Sequence, residues 1–212
     1  MSSFTHIPKA QRHLARRDPV LRRLIRTIGP CTLQLNSDRF GLLVRSIVSQ
    51  QISSKAAASI SARLESALRP RGLTARGILR ASDETLRAAG LSANKQRSLR
   101  DLAEKVHQRT VPLDDLHDRT DEEVIERLIP VRGIGRWTAQ MFLIFSLGRL
   151  DVLPVDDLGL RVAVQRHYEL CEHPRRDELT RLAEPWQPYR SIATWYFWRS
   201  LGAVPQSNAK EA

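Results

Sequence analysis

The sequence predicts an all-α fold. Three observations carry this: apolar residues recur at three- and four-residue steps along most of the chain, a Ser, Thr or Asp stands ahead of several of these runs as a helix cap, and no segment sustains the period-two alternation of a half-buried strand. At 212 residues the chain can bury a substantial core as one domain or two small lobes. Gly 10 and Pro 11 are too few and too scattered for a low-complexity linker. No repeat of solenoid length is present.

In order, residues 1 to 7 read as frayed. Pro8 to Ile28 is a helical pattern broken at Asp18-Pro19, with Val20, Leu21, Leu24, Ile25 and Ile28 on one side. Arg12, Arg16, Arg17, Arg22, Arg23 and Arg26 lie elsewhere on it, and a solvated face is the expected role for most of them. Gly29-Pro30 ends the pattern. Ser37 or Asp38 caps a helix through Phe40, Leu43, Val44, Ile47 and Val48, and Ser53-Ser54 restarts one toward Leu68. Thr74 to Leu79 and Ser82 to Ala89 read as short helices, Gly90 as a stop, and Leu99, Leu102, Ala103 and Val106 as the face of a longer helix. Leu113 to His117 reads as a loop. Beyond it, Thr120-Asp121-Glu122-Glu123 is a capping box, and Pro130 closes the helix it opens. After Asp157 the pattern is helical to Tyr168, then from Asp177 to Glu184, then from Pro188 to about Leu201. That last helix carries aromatics all round, so it is buried or faces a pocket as well as a core.

The stretch Ile129 to Asp157 carries the chemistry. Gly133 and Gly135 flank Ile134 in a turn suited to positive φ and to backbone pressed against another molecule. A second helix then starts near Gly135, and its first N–H groups offer donors to an anion. That helix is roughly 20 Å long, and the nine residues that follow could cover about 30 Å extended, so the chain can return and place Asp157 near Trp137. Asp156 and Asp157 precede a helix, where most such pairs are only caps.

Lys+Arg 34 against Asp+Glu 23 gives +11, and all but five of the basic residues are arginine. This predicts a polyanionic partner, and arginine's planar fork favours phosphate. No apolar run reaches the ~18 residues of a membrane span, and the start lacks a signal-peptide core. The expectation is a cytoplasmic, nucleoid-associated monomer with no membrane partner. Cys31 and Cys171, the only thiols, cannot by themselves build an iron-sulfur or zinc site, and both are expected to be ordinary small hydrophobes. No metal ligand set is predicted.

Two helices joined by a hydrophobic-Gly-hydrophobic-Gly turn resemble a helix-hairpin-helix. Gly133-Ile134-Gly135-Arg136-Trp137-Thr138-Ala139, with an Asp beyond the second helix, resembles the helix-hairpin-helix DNA glycosylases, and among them the AlkA type of 3-methyladenine DNA glycosylase II. Trp186-Gln187-Pro188-Tyr189-Arg190-Ser191 and Trp195-Tyr196-Phe197-Trp198-Arg199 resemble the same type. The likeness runs from about Phe40 to the C-terminus and implies a compact form without the β-rich N-terminal domain of longer relatives. It implies a lobe over 31 to 150 carrying the helix-hairpin-helix, a second lobe from 1 to 30 plus 151 to 212, and an active-site cleft between them.

The resemblance also assigns roles. Counting back from Leu160-Arg161-Val162 puts the catalytic aspartate at Asp157, while counting forward from Pro154-Val155 would select Asp156; Asp157 is preferred. Trp137, Trp198 and Met141 match pocket positions, where indole faces would stack on a flipped cationic purine. A lysine at Trp137 would permit a Schiff base and strand cleavage; Trp implies a monofunctional enzyme. Gly133, Ile134, Gly135, Arg136 and Thr138 would meet DNA phosphate, as would Ser92 and Lys95 of a second glycine turn, though a capped helix start accounts for those two nearly as well. Gln51 matches the residue that wedges into the gap left by the target nucleotide, with a plain polar turn as the equal alternative. The implied partner is double-stranded DNA with alkylated bases. Neither cofactor nor iron-sulfur cluster is implied, although the hairpin could hold a monovalent cation. The alternatives are a non-catalytic DNA-binding module, or a glycosylase for oxidised or mismatched bases.

Overall fold

The structure, a computed structural model, describes residues 6 to 202. Among these every regular element is a helix: α1 Ile7–Arg17, α2 Pro19–Ile28, α3 Arg39–Ser49, α4 Ser54–Ala67, α5 Ala75–Arg80, α6 Asp83–Ala88, α7 Ala93–His107, α8 Asp121–Leu128, α9 Arg136–Phe145, α10 Leu158–Tyr168, α11 Arg176–Leu182 and α12 Arg190–Ser200. The frayed start expected over 1 to 7 lies mostly outside the described residues, and α1 already begins at Ile7. No helix of the described residues is long and apolar enough to cross a membrane.

The starts are set by side chains that satisfy the orphan N–H groups of the first turn. Asp38, Ser53, Thr74, Ser82 and Ser92 each accept from the backbone three residues on. Thr120 and Glu123 form the complete capping box. Two boundaries differ from the sequence expectation because a proline intervenes. Pro185 has no N–H to continue α11, so the chain passes into a 3-10 turn at Glu184–Trp186, and α12 begins after Pro188. The loop before α8 also tightens into a 3-10 turn at Leu116–Asp118.

The chain forms two compact units. One combines the two ends, up to Leu35 and from Leu143; the other is Asn36–Phe142. In the first, Leu14, Leu21, Trp186, Tyr196 and Phe197 are fully buried. Asp18 is the polar centre of this core: Oδ1 accepts from the N–H groups of Val20 and Leu21 at 2.8 and 3.1 Å, while Oδ2 accepts from Trp186 Nε1 at 2.7 Å and from the Tyr168 hydroxyl. Four donors offset the desolvation of a carboxylate that is 4% exposed. Burial, with Asp18 alongside, pushes the Tyr168 phenol above its ordinary value, so it stays a donor. In the second unit Leu42, Leu43, Ile47, Leu64, Ile78, Leu99 and Leu128 form the core, each burial contributing about 1.5–3 kcal/mol against chain entropy.

Candidate active site

The approach to Asp157 is fixed by the start of α12. Arg190 donates from Nε to Asp151 Oδ1 at 2.8 Å and from a terminal nitrogen to Oδ2 at 2.9 Å, a two-toothed grip on the loop. Ser191 Oγ donates to the Arg149 carbonyl at 2.7 Å and accepts from Val152 N at 3.0 Å. The chain then turns tightly, Asp157 N donating to the Pro154 carbonyl at 2.9 Å.

The two aspartates diverge at this turn. Asp156 is exposed and faces Arg176, which donates to its Oδ2 at 2.8 Å. Asp157 is 5% exposed and is the N-cap of α10, its Oδ1 accepting from Leu160 N at 2.6 Å. The same oxygen accepts from Trp198 Nε1 at 2.8 Å. The positive end of the α10 dipole and these two N–H donors therefore converge on one buried carboxylate.

Trp198 thus meets the acid through its indole N–H. Its indole lies against Phe145, centroids 5.9 Å apart and planes 20° apart, and only 2% of the residue is exposed. Gly159, which the sequence did not single out, permits this approach: a Cβ there would stand 3.2 Å from Asp157 Oδ1 and 3.5 Å from Trp198 Cδ1. Leu158, next to the acid, is 63% exposed.

In the other unit the glycine turn has the expected helix on each side. Gly133 takes φ +80°, and a Cβ there would meet Ser98 Oγ at 2.9 Å, so both conformation and space require glycine. Gly135 does not have positive φ, contrary to expectation; a Cβ there would enter open space, so no internal contact explains it. Gly135 is instead the exposed residue from which α9 starts, its carbonyl accepting from Ala139 N. The side chains of Ile134 and Thr138 are buried, 4% exposed each, leaving only their backbone for an outside partner. Arg136 is exposed but donates twice to Glu122, at 2.8 and 2.7 Å, clasping α9 to α8. This pairing holds the Glu122 carboxyl below its ordinary range. Trp137 is half-buried. Met141 has no exposed surface, in a run of α9 that is buried on every side from Thr138 to Phe145.

Gln51 stands exposed at the end of α3 with a left-handed backbone, φ 59°. Its neighbour Gln50, which sequence reasoning passed over, donates from Nε2 to the Gly133 carbonyl at 2.7 Å and fastens this turn to the hairpin. Ile52 beside them is 37% exposed. Ser92 caps α7, and Lys95 points back to the Val48 carbonyl at 2.7 Å, at the end of α3. Desolvation lowers the Lys95 pKa below its ordinary value. Asp101 accepts from Arg132 N at 2.7 Å and pairs with Lys105. Its burial favours the neutral acid, but these two donors together outweigh that and hold its pKa below the ordinary value.

Among the described residues no group of three or more His, Cys, Asp or Glu side chains is placed to hold a metal. Cys31 is buried and its thiol pKa is pushed up to about 12 by desolvation. Cys171 is exposed and follows the end of α10, beyond the buried face of that helix.

Comparison with known proteins agrees with this arrangement. DNA-3-methyladenine glycosylase 1 of Schizosaccharomyces pombe is 36% identical over 201 residues, covering 92% of this chain and 88% of that protein. Alkylbase DNA glycosidase-like protein mag2 of the same yeast is 31% identical over 204 residues, 94% of this chain and 96% of that one. The solved structure of the S. pombe 3-methyladenine DNA glycosylase (Mag1) in complex with abasic DNA superposes with a TM-score of 0.83 at 35% identity, covering 92% of this chain and 98% of that one. Residues 44–188 match the family model described as HhH-GPD superfamily base excision DNA repair protein. With that match spanning most of its length, and helix-hairpin-helix and buried aspartate in place, this chain belongs to the HhH-GPD superfamily of base excision DNA repair proteins.

Proposed function

We propose that the protein is a monofunctional DNA glycosylase that hydrolyses the N-glycosidic bond of alkylated purines, 3-methyladenine and 7-methylguanine, in duplex DNA. The observation that carries the reading is the Asp157 carboxylate, buried at the start of α10 and oriented by the Trp198 indole N–H. As the bond between base and deoxyribose breaks, its electron pair leaves with the base and positive charge builds at C1′. A fixed anion lowers that barrier electrostatically, and can orient the water whose oxygen then bonds to C1′ and releases a proton. An alkylated purine is already cationic, so it departs without a second acid. Trp137 stands where a strand-cleaving enzyme of this family needs a lysine, and an indole cannot form a Schiff base.

DNA would be gripped through the backbone of Gly133 to Arg136 and the first turn of α9, with Gln51 entering the gap left by the extruded nucleotide. A monovalent cation at the hairpin would be held by backbone carbonyls. Those of Leu128, Val131 and Gly133 each accept one hydrogen bond and keep a second lone pair, which suits a hard cation. Such an ion would lend positive charge to a phosphate oxygen. The protein acts on this reading as a monomer, on DNA in the cytoplasm.

The test is a panel of duplexes that each carry one altered base: 3-methyladenine, 7-methylguanine, an oxidised guanine or a mismatch. Release of the methylated purines is expected. Release confined to oxidised or mismatched bases would move the protein to another substrate class, and tight binding with no release would make it a non-catalytic DNA-binding module.

A further inference from the structure

The arginines of the first two helices are exposed, as expected, but they are not evenly spread. Arg12 and Arg16 of α1 and Arg22 and Arg26 of α2 converge on one depression of about 510 Å³, whose remaining lining is Ala15 and Ile25. Among the described residues no acidic side chain lines it. Arg22 donates from Nε to the Ala15 carbonyl at 2.7 Å, which fixes its guanidinium and leaves its other N–H groups available. Arg12, Arg16 and Arg26 are exposed and make no hydrogen bond or ion pair among the described residues.

This arrangement has a cost within the fold. Arg12 with Arg16, and Arg22 with Arg26, are like charges four residues apart on one helix, a spacing that destabilises the helix that carries it. Arg16 and Arg26 lie in last turns, where the helix dipole compensates; Arg12 does not. Four guanidiniums around one hollow also repel one another across the gap between the helices.

We propose that this depression is a second DNA-backbone site, which binds phosphodiesters of the duplex away from the damaged nucleotide; the assignment rests on the DNA glycosylase reading. Two features favour a nucleic-acid backbone over an acidic peptide. The backbone alternates phosphates with apolar deoxyribose edges, which matches a frame of arginines around a floor of Ala15, Ile25 and arginine stems. DNA is also the partner that the glycosylase reading already supplies. An acidic peptide would need a separate partner.

The experiment measures binding of an undamaged duplex by fluorescence anisotropy from low to high salt, for the wild type, Arg12→Gln/Arg16→Gln, Arg22→Gln/Arg26→Gln and the four-arginine combination. Each arginine that reaches a phosphate should make the slope of log K against log salt shallower by about 0.9, so the combined variant should lose roughly two to four units of slope. The loss should be equal for undamaged and methylated duplex, and the corresponding lysine variants should restore most of it. Unchanged slopes in folded variants would overturn the proposal, as would gain or loss of affinity for polyglutamate with DNA binding unaffected. If the combined variant does not fold, the two pairs decide separately. Failure of the wild type to release any methylated purine would sink the glycosylase reading without altering these slopes, so the two failures are distinguishable.

Discussion

Replacing Gly159 by Ala tests whether the placement of Asp157 matters. The added Cβ would lie 3.2 Å from Asp157 Oδ1, 3.5 Å from Trp198 Cδ1 and 3.7 Å from Trp198 Nε1. The first distance is too short by a few tenths of an ångström, and neither neighbour gives way freely. Asp157 is held by Leu160 N at 2.6 Å and Trp198 Nε1 at 2.8 Å, while Trp198 is packed on Phe145. The carboxylate or the indole must therefore shift. Gly159 lies inside α10 without positive φ, so alanine contributes up to ~1 kcal/mol of helix propensity, which roughly offsets the crowding. Stability should change by less than about 1 kcal/mol. Misplacement of a catalytic group by 1 Å can cost about 100-fold in rate, so a shift of a few tenths should cost roughly 10-fold. The assay is single-turnover release of 7-methylguanine with enzyme in excess, alongside thermal unfolding. A wild-type rate in a normally folded variant would refute the claim that this geometry supports catalysis.

The two hairpin glycines should separate in the same way. Gly133→Ala meets both a positive φ and Ser98, and should lose more than ~1 kcal/mol of stability in denaturant unfolding, whereas Gly135→Ala should fold within about 1 kcal/mol of wild type yet bind duplex DNA more weakly. A thiol reagent at pH 8 should label Cys171 and spare Cys31, whose pKa near 12 keeps it protonated and whose burial shields it; counting labelled thiols before and after unfolding checks this. Asp101 has a folded-state pKa below its unfolded one, so its contribution is fully present above the unfolded value and is lost as pH falls through the folded one. Asp101→Asn should thus lower stability near neutrality, and the difference from wild type should shrink below about pH 4 in pH-dependent unfolding.

The helices were legible because their signals are local. Thr120 and Glu123 cap one another within four residues, and Asp18-Pro19 breaks a pattern at a point any reader can see. The carriers of the site were less so, because their partners are distant in the chain. Asp18 and Asp157 are both buried N-cap aspartates that accept an indole N–H, from Trp186 and Trp198. Nothing local distinguishes them; the resemblance singled out Asp157, and the structure shows Asp18 with all its acceptor positions engaged in the core. Periodicity marked Trp198 as a large ring at helical spacing, but whether its face or its N–H matters depends on Phe145 and Gly159. Lys95 and Arg136 read as phosphate contacts, and nothing local showed that each also serves a neighbour, the Val48 carbonyl and Glu122. Gln50 was overlooked since its partner, Gly133, is 83 residues away. A single glutamine pair in a turn gives no hint of which member anchors and which stays exposed.

The central claim is that the buried member of the aspartate pair does the chemistry. Single-turnover excision of 7-methylguanine by Asp157→Asn and Asp156→Asn, with binding to undamaged duplex measured in parallel, tests it most directly. The account predicts a loss of about 100- to 1000-fold for Asp157→Asn with DNA binding retained, and a change within a few-fold for Asp156→Asn, whose carboxylate only pairs with Arg176 at the surface. Excision at the wild-type rate by Asp157→Asn, or its loss in Asp156→Asn alone, would contradict it.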